Sequence, residues 1–210
     1  MKTGTIPEHF VSLNQLGYNC SSCWTGDKGK ELGLTRNFLM KTGLIDGTLW
    51  IHRDVLNKLS NVRTTLQGYG FDMLVKEAYR PIILDLEINR LLKEANLPAD
   101  KLINLKDRSH STGMALDVVL CDFDEYVDEE NEGGVIQEIG EEVDMKDPEN
   151  HSPEINHVDY CVGKQDADNI NYQNLRILLV KAFLNEGFVL GIEKDFFHFQ
   201  LPQAVNAKEY

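Results

Sequence analysis

Basic side chains are scarce: 21 lysines and arginines face 34 aspartates and glutamates, a net charge of −13. A nucleic-acid-binding surface needs a basic footprint, so the charge argues against that class, and it equally disfavours docking on an anionic membrane surface. Long apolar runs are missing too. Nothing approaches the ~20 residues of a membrane-crossing helix, and the start, MKTGTIPEHFVSL, lacks the apolar stretch of a secretory leader. The expectation is a cytoplasmic protein. Cysteine is rare, four in 210 residues, too few for a disulfide scaffold. Cys20 and Cys23 form one CxxC, but Cys121 and Cys161 stand alone, so no second pair completes a zinc knuckle. The pair lies in NCSSCWTGDKG, which reads as a loop carrying reduced thiols.

What is present suits one domain spanning 1–210: 42% hydrophobic residues, enough for a single core. Val55, Leu56, Leu59, Val62 and Leu66 recur at helical spacing, and Gly68 and Gly70 stop that helix. FDMLVKEAY alternates as a strand does. Pro81 opens a second helix with Leu84, Ile88, Leu91, Leu92 and Ala95 on one face, closed by Pro98. ALDVVL reads as a buried strand, Gln173 to Asn185 as a third helix stopped by Gly187, and FVL and FFHFQL as two final strands. Helices and strands mix without a βαβ rhythm, which predicts an α+β fold with a small antiparallel sheet flanked by helices. Residues 122–149 stand apart, with 13 acidic side chains against one lysine. They read as an acidic surface insert. An EF-hand loop starting at Asp128 fails, because its twelfth position is Ile139 rather than glutamate.

Six histidines leave few ways to build a metal site. His9 and His52 have no acidic partner at useful spacing, and His151 and His157 lie in the polar stretch NHSPEINHVDY, where solvation is the simplest reading. RSHSTGMALD is different. His110 precedes a turn sequence ending at Gly113, and Asp117 follows in the next strand, although core packing has no use for either. His198 lies in DFFHFQL. Between phenylalanines it would by itself pass for a core residue, but Asp195, three positions earlier, is a carboxylate that needs a partner. His110, Asp117 and His198 together form the ligand set of a catalytic zinc with an open position for water. Zinc and one carboxylate leave a net charge of about +1, enough to acidify that water towards ~7. Asp195 is then a candidate general base. In a regular strand Asp195 and His198 would face opposite ways, so one of them must sit on a bulge or turn. No HExxH helix is present, which excludes that class of metalloprotease.

HSTGMALD resembles the HxxGxAxD core of the SxHxxGxAxD motif in zinc D-Ala-D-Ala peptidases of the hedgehog/DD-peptidase type. KEAYRP resembles their DxYRP element and DFFHF their ExxHF, in the same order. The length is similar to that of the D-alanyl-D-alanine dipeptidase branch of vancomycin-resistance type. CWTG and VDMKDPENH resemble that branch's NFTG and FDxMxxxxH stretches. The resemblance implies one zinc per chain on His110, Asp117 and His198, Asp195 as general base, and Arg80 stabilising the oxyanion. It also implies that Asp144 pairs with the ammonium of a dipeptide and that Ser109 helps to place it. The implied activity is zinc-dependent hydrolysis of D-Ala-D-Ala, a small cell-wall peptide. Two positions depart from the pattern. Asp195 stands where the dipeptidases have glutamate, an aspartate that resembles the L-alanyl-D-glutamate endopeptidases, and Arg108, where the motif has serine, either offers a guanidinium to a substrate carboxylate or points to solvent. The alternatives are therefore an L-Ala-D-Glu endopeptidase or D,D-carboxypeptidase acting on a longer wall peptide, and a zinc-bearing binding module that does not cleave.

Overall fold

The computed structural model describes residues 6–44, 47–99, 103, 105, 108–123, 140–147, 152–191 and 194–206. Most of the acidic insert, the tested EF-hand loop and His151 lie outside the described residues. Seven strands are described: β1 (Phe10–Ser12), β2 (Asn19–Cys20), β3 (Trp50–His52), β4 (Phe71–Glu77), β5 (Ala115–Asp122), β6 (Val189–Leu190) and β7 (His198–Gln200). The helices are α1 (Asp27–Leu32), α2 (Arg36–Thr42), α3 (Leu56–Gln67), α4 (Ile82–Glu94) and α5 (Ala167–Asn185). The architecture is mixed α and β, as the sequence predicts. No helix among the described residues is long and apolar enough to cross a membrane.

The main sheet has the order β2-β4-β5-β7-β6, and β1 pairs with β3 in a separate ribbon. One expectation is corrected here: the sheet is not wholly antiparallel, because Asn19 and Cys20 run parallel to Leu74 and Val75. This pairing also removes Cys20 from the predicted loop. The two-residue strand is too short to show an alternation, so the sequence carries no signal for it.

Burial explains the elements. Leu59, Val62 and Leu66 of α3 join Leu179 and Phe183 of α5 against Met73, Val75, Leu116, Val118 and Leu120 of the sheet. Phe183 stacks on Phe199 with ring centroids 3.9 Å apart and planes 8° from parallel. Truncating such a buried ring to alanine costs about 3–5 kcal/mol. A second cluster lies under α4, where Leu84, Ile88 and Leu92 pack with Phe10, Trp24, Leu34 and Tyr79. Helix α5 starts at Ala167, earlier than its apolar stripe predicts. Asp166 caps it by accepting the Asn169 N–H at 2.9 Å, and the first turns are polar and mostly exposed.

Candidate metal centre

Local chemistry makes the HSTG turn. Ser109–Thr112 form a 3-10 turn, closed by hydroxyls that return to the backbone: Ser111 donates to the Arg108 carbonyl at 2.7 Å and Thr112 to the Ser109 carbonyl at 2.6 Å. Gly113 ends the turn at φ +68°, and a Cβ there would meet the Phe10 ring at 2.1 Å. Only glycine satisfies both conditions. The chain then enters β5, and Asp117 is its third residue.

Sheet register brings the other groups to the same level. Asp117 of β5 is opposite His198 of β7 on one side and Glu77 of β4 on the other. A shift in pairing between Val75 and Glu77 sets the second match: Val75 faces Val118, yet Glu77, two residues on, faces the adjacent Asp117. His110 is held from the backbone, its Nδ1 donating to the Ala78 carbonyl at 2.8 Å. That bond leaves Nε2 directed at Asp117 Oδ1, 3.4 Å away. His198 Nδ1 lies 2.8 Å from the same oxygen. One ligand atom from each of the three residues falls within 4.8 Å of the others, so His110, Asp117 and His198 could together hold a metal ion. Burial pushes the Asp117 carboxyl up, but His110 and His198 outweigh it and hold the group well below the usual carboxylate range. Burial also lowers the His110 pKa, which favours the neutral imidazole that ligates metals. Two imidazoles and an ionised carboxylate are the kinds of group that ligate a metal ion.

The remaining expected residues fall at different depths. Asp195 lies on the turn before β7, bridged to His157, and the His198 N–H donates to its carbonyl at 3.3 Å. This resolves the odd spacing: Phe196 and Phe197 form the turn, and the strand begins only at His198. Arg80 is buried. Its backbone N–H donates to the His110 carbonyl at 3.1 Å, its Nε bonds Asp85, and its Nη1 lies 3.7 Å from Glu77. Burial disfavours the Arg80 charge, but Asp85, Glu77 and Asp117 more than compensate. Ser109 Oγ is 3.3 Å from His198 Nε2. Arg108 is exposed, with Nε donating to the Leu105 carbonyl at 3.3 Å. Asp144 is also exposed, next to the buried Met145. The structure therefore gathers His110, Asp117, His198, Ser109 and Arg80 and sets Asp195 at the entrance to β7. Arg108 and Asp144 lie on the surface.

Four residues of this region escaped the sequence reading. Glu77 is buried between Arg80 and Asp117, and desolvation pushes its carboxyl up to about 8. Asp85 balances Arg80 from the first turn of α4. Gln200 lies buried beside His198. Arg176 of α5, fully buried, donates to the Met145 carbonyl at 2.8 Å and to the His157 carbonyl at 3.2 Å, with its guanidinium 4.3 Å from the Phe196 ring centre. It thereby ties the segment carrying Asp144 to the turn carrying Asp195. A lone arginine beside the apolar stripe of α5 was the available signal. Glu77 was hidden by its place in an ordinary strand alternation.

Two sequence readings change. His52 is buried and does have an acidic neighbour, with Nδ1 3.6 Å from the Asp54 carboxylate. Spacing alone missed it because a 3-10 turn, Arg53–Val55, folds residue 54 back towards 52. His157 is half-buried, and its backbone braces Asp195.

No known family profile matches the chain. It is similar to the D-alanyl-D-alanine dipeptidase of Escherichia coli (strain K12), with 24% identity over 156 residues, 74% of this chain and 68% of that protein.

Proposed function

We propose that this protein is a zinc metallopeptidase of the hedgehog/DD-peptidase type that hydrolyses the D-Ala-D-Ala dipeptide. The observation carrying this reading is the convergence of His110, Asp117 and His198 within 4.8 Å. The similarity to a D-alanyl-D-alanine dipeptidase over most of the chain supports the substrate. A bound zinc would supply Lewis-acid polarisation of the peptide carbonyl and a lowered pKa for water.

The chain's own residues do the rest. Asp195 accepts a proton from the attacking water as its oxygen bonds the carbonyl carbon. It returns that proton to the leaving amine as the C–N bond breaks, so the base is regenerated. Arg80, kept cationic by Asp85 and Asp117, stabilises the negative carbonyl oxygen. Asp85 fixes the guanidinium through its Nε, and Glu77 lies 3.7 Å from Nη1. Asp144 pairs with the dipeptide ammonium, Ser109 helps to place the substrate, and Arg108 offers a cation to its carboxylate. The buried trio of Glu77, Arg80 and Asp85 is neutral overall when Glu77 is protonated, consistent with a carboxyl raised to about 8.

A second reading, an L-Ala-D-Glu endopeptidase or D,D-carboxypeptidase on a longer wall peptide, is favoured by aspartate rather than glutamate at position 195. The deciding experiment measures D-alanine release from D-Ala-D-Ala by purified protein, before and after chelation and after zinc restoration. Zinc-dependent release is expected. A zinc-loaded protein that cleaves only stem peptides would establish the second reading, and one that cleaves neither would be a binding module.

A further inference from the structure

The far side of the His198 ring faces Gln200, a residue with no part in the proposed chemistry. His198 points Nδ1 at Asp117 and turns Nε2 towards Gln200, whose Oε1 lies 3.4 Å away, with Ser109 Oγ at 3.3 Å. Gln200 is only 3% exposed. An amide buried in a short strand costs free energy unless it is bonded, and its side-chain bond is to His198. Strand geometry makes the contact, since residues 198 and 200 of β7 share a face. Ala115, the small residue paired with Gln200 on β5, leaves room for the amide. Gly191 closes the other approach: a Cβ there would stand 2.3 Å from His198 Cδ2 and 2.9 Å from Nε2.

We infer that Gln200 is a positioning residue for the metal centre: its amide oxygen accepts from His198 Nε2–H and so presents the bare Nδ1 to the metal. A metal-bound imidazole usually donates its second N–H to a fixed acceptor, and losing that acceptor costs ten- to a hundredfold in metal affinity. Gln200 touches no reacting atom and acts through His198. The inference rests on the reading of His110, Asp117 and His198 as the metal ligands.

The test is zinc affinity by chelator competition, with a thermal melt of each metal-free protein, on wild type, Gln200→Met, Gln200→Glu and His198→Ala. Methionine keeps the length and removes the acceptor; glutamate keeps an acceptor. Gln200→Met is expected to weaken zinc binding by about ten- to a hundredfold, while Gln200→Glu stays within about threefold of wild type and His198→Ala loses more than either. Wild-type affinity in Gln200→Met would overturn the inference. Equal weakening in Gln200→Met and Gln200→Glu would also overturn it, since that marks a packing role. Should His198→Ala bind zinc as wild type does, the ligand assignment itself fails, an outcome separate from the failure of Gln200 alone.

Discussion

Two histidine pairs in this molecule have nearly the same spacing. The rings of His110 and His198 lie 4.9 Å apart and those of His9 and His52 lie 4.8 Å apart. Only the first pair could hold a metal among the described residues. The difference lies in what occupies the ring nitrogens. In the first pair Asp117 reaches a nitrogen of each ring through a single oxygen, and a backbone carbonyl takes the other nitrogen of His110. In the second pair His52 Nδ1 accepts the Asp54 N–H at 3.2 Å and caps a 3-10 turn, while the Asp54 carboxylate is largely exposed. What sets the first pair apart is a carboxylate that meets one nitrogen of each ring, neither of them the nitrogen bonded to the backbone.

The sharpest way to break this comparison is to neutralise an acid close in sequence to one histidine of each pair, Asp195 before His198 and Asp54 after His52. Asp195→Asn should bind zinc as wild type does and lose a factor of about 10²–10⁴ in turnover of D-Ala-D-Ala, whereas Asp54→Asn should leave turnover unchanged. A zinc-loaded Asp195→Asn protein working at the wild-type rate would remove Asp195 from the proposed role. The histidines come next. His198→Ala should lower zinc affinity by more than about a hundredfold, exceeding the loss expected from an outer partner, and His52→Gln should leave it within about twofold. Equal losses in the two variants would erase the distinction between the pairs.

Smaller effects sharpen the account of the buried charges. The Glu77 carboxyl is raised from its ordinary 4.5 to about 8 in the folded state. The folded protein therefore keeps a proton that the unfolded chain releases above pH 4.5, so this contribution to stability is full below that pH and lost as pH rises through about 8. The metal-free protein should melt progressively lower from pH 5 to 8.5, and Glu77→Gln should flatten that slope. A parallel slope in the variant would place the pH dependence elsewhere. The smallest effect concerns the CxxC pair. Cys20 and Cys23 are free, and burial pushes their thiols up to about 12 and about 11. Both should react slowly with a disulfide reagent at pH 8, and Cys23→Ser should change zinc affinity by less than about twofold. Fast labelling of either thiol would reopen a redox role.

Much of the candidate site was legible because its chemistry is local. HSTG announces a turn through its hydroxyls and its glycine, and a histidine and an aspartate with no packing purpose flank it. The parity of Asp195 and His198 even required one of them to sit on a bulge or a turn, and the structure has the turn. Glu77, Asp85, Arg176 and Gln200 were not legible, because each acquires meaning only from a partner distant in sequence or across a helix start. Gln200 is one residue past His198–Phe199 and looks like an ordinary edge-of-strand polar residue until Ala115 and Gly191 are seen around it.

By itself, then, the sequence determined the mixed α and β composition, the helical stripes of α3, α4 and α5, and the identity of the three side chains that converge. These follow from periodicity, turn chemistry and residue type, which act over a few positions. Tertiary structure alone decided the parallel pairing of β2, the register that sets Glu77, Asp117 and His198 side by side, and the burial that separates one histidine pair from the other. Register is a property of two strands, and burial is a property of the whole core. Neither is written in any one segment.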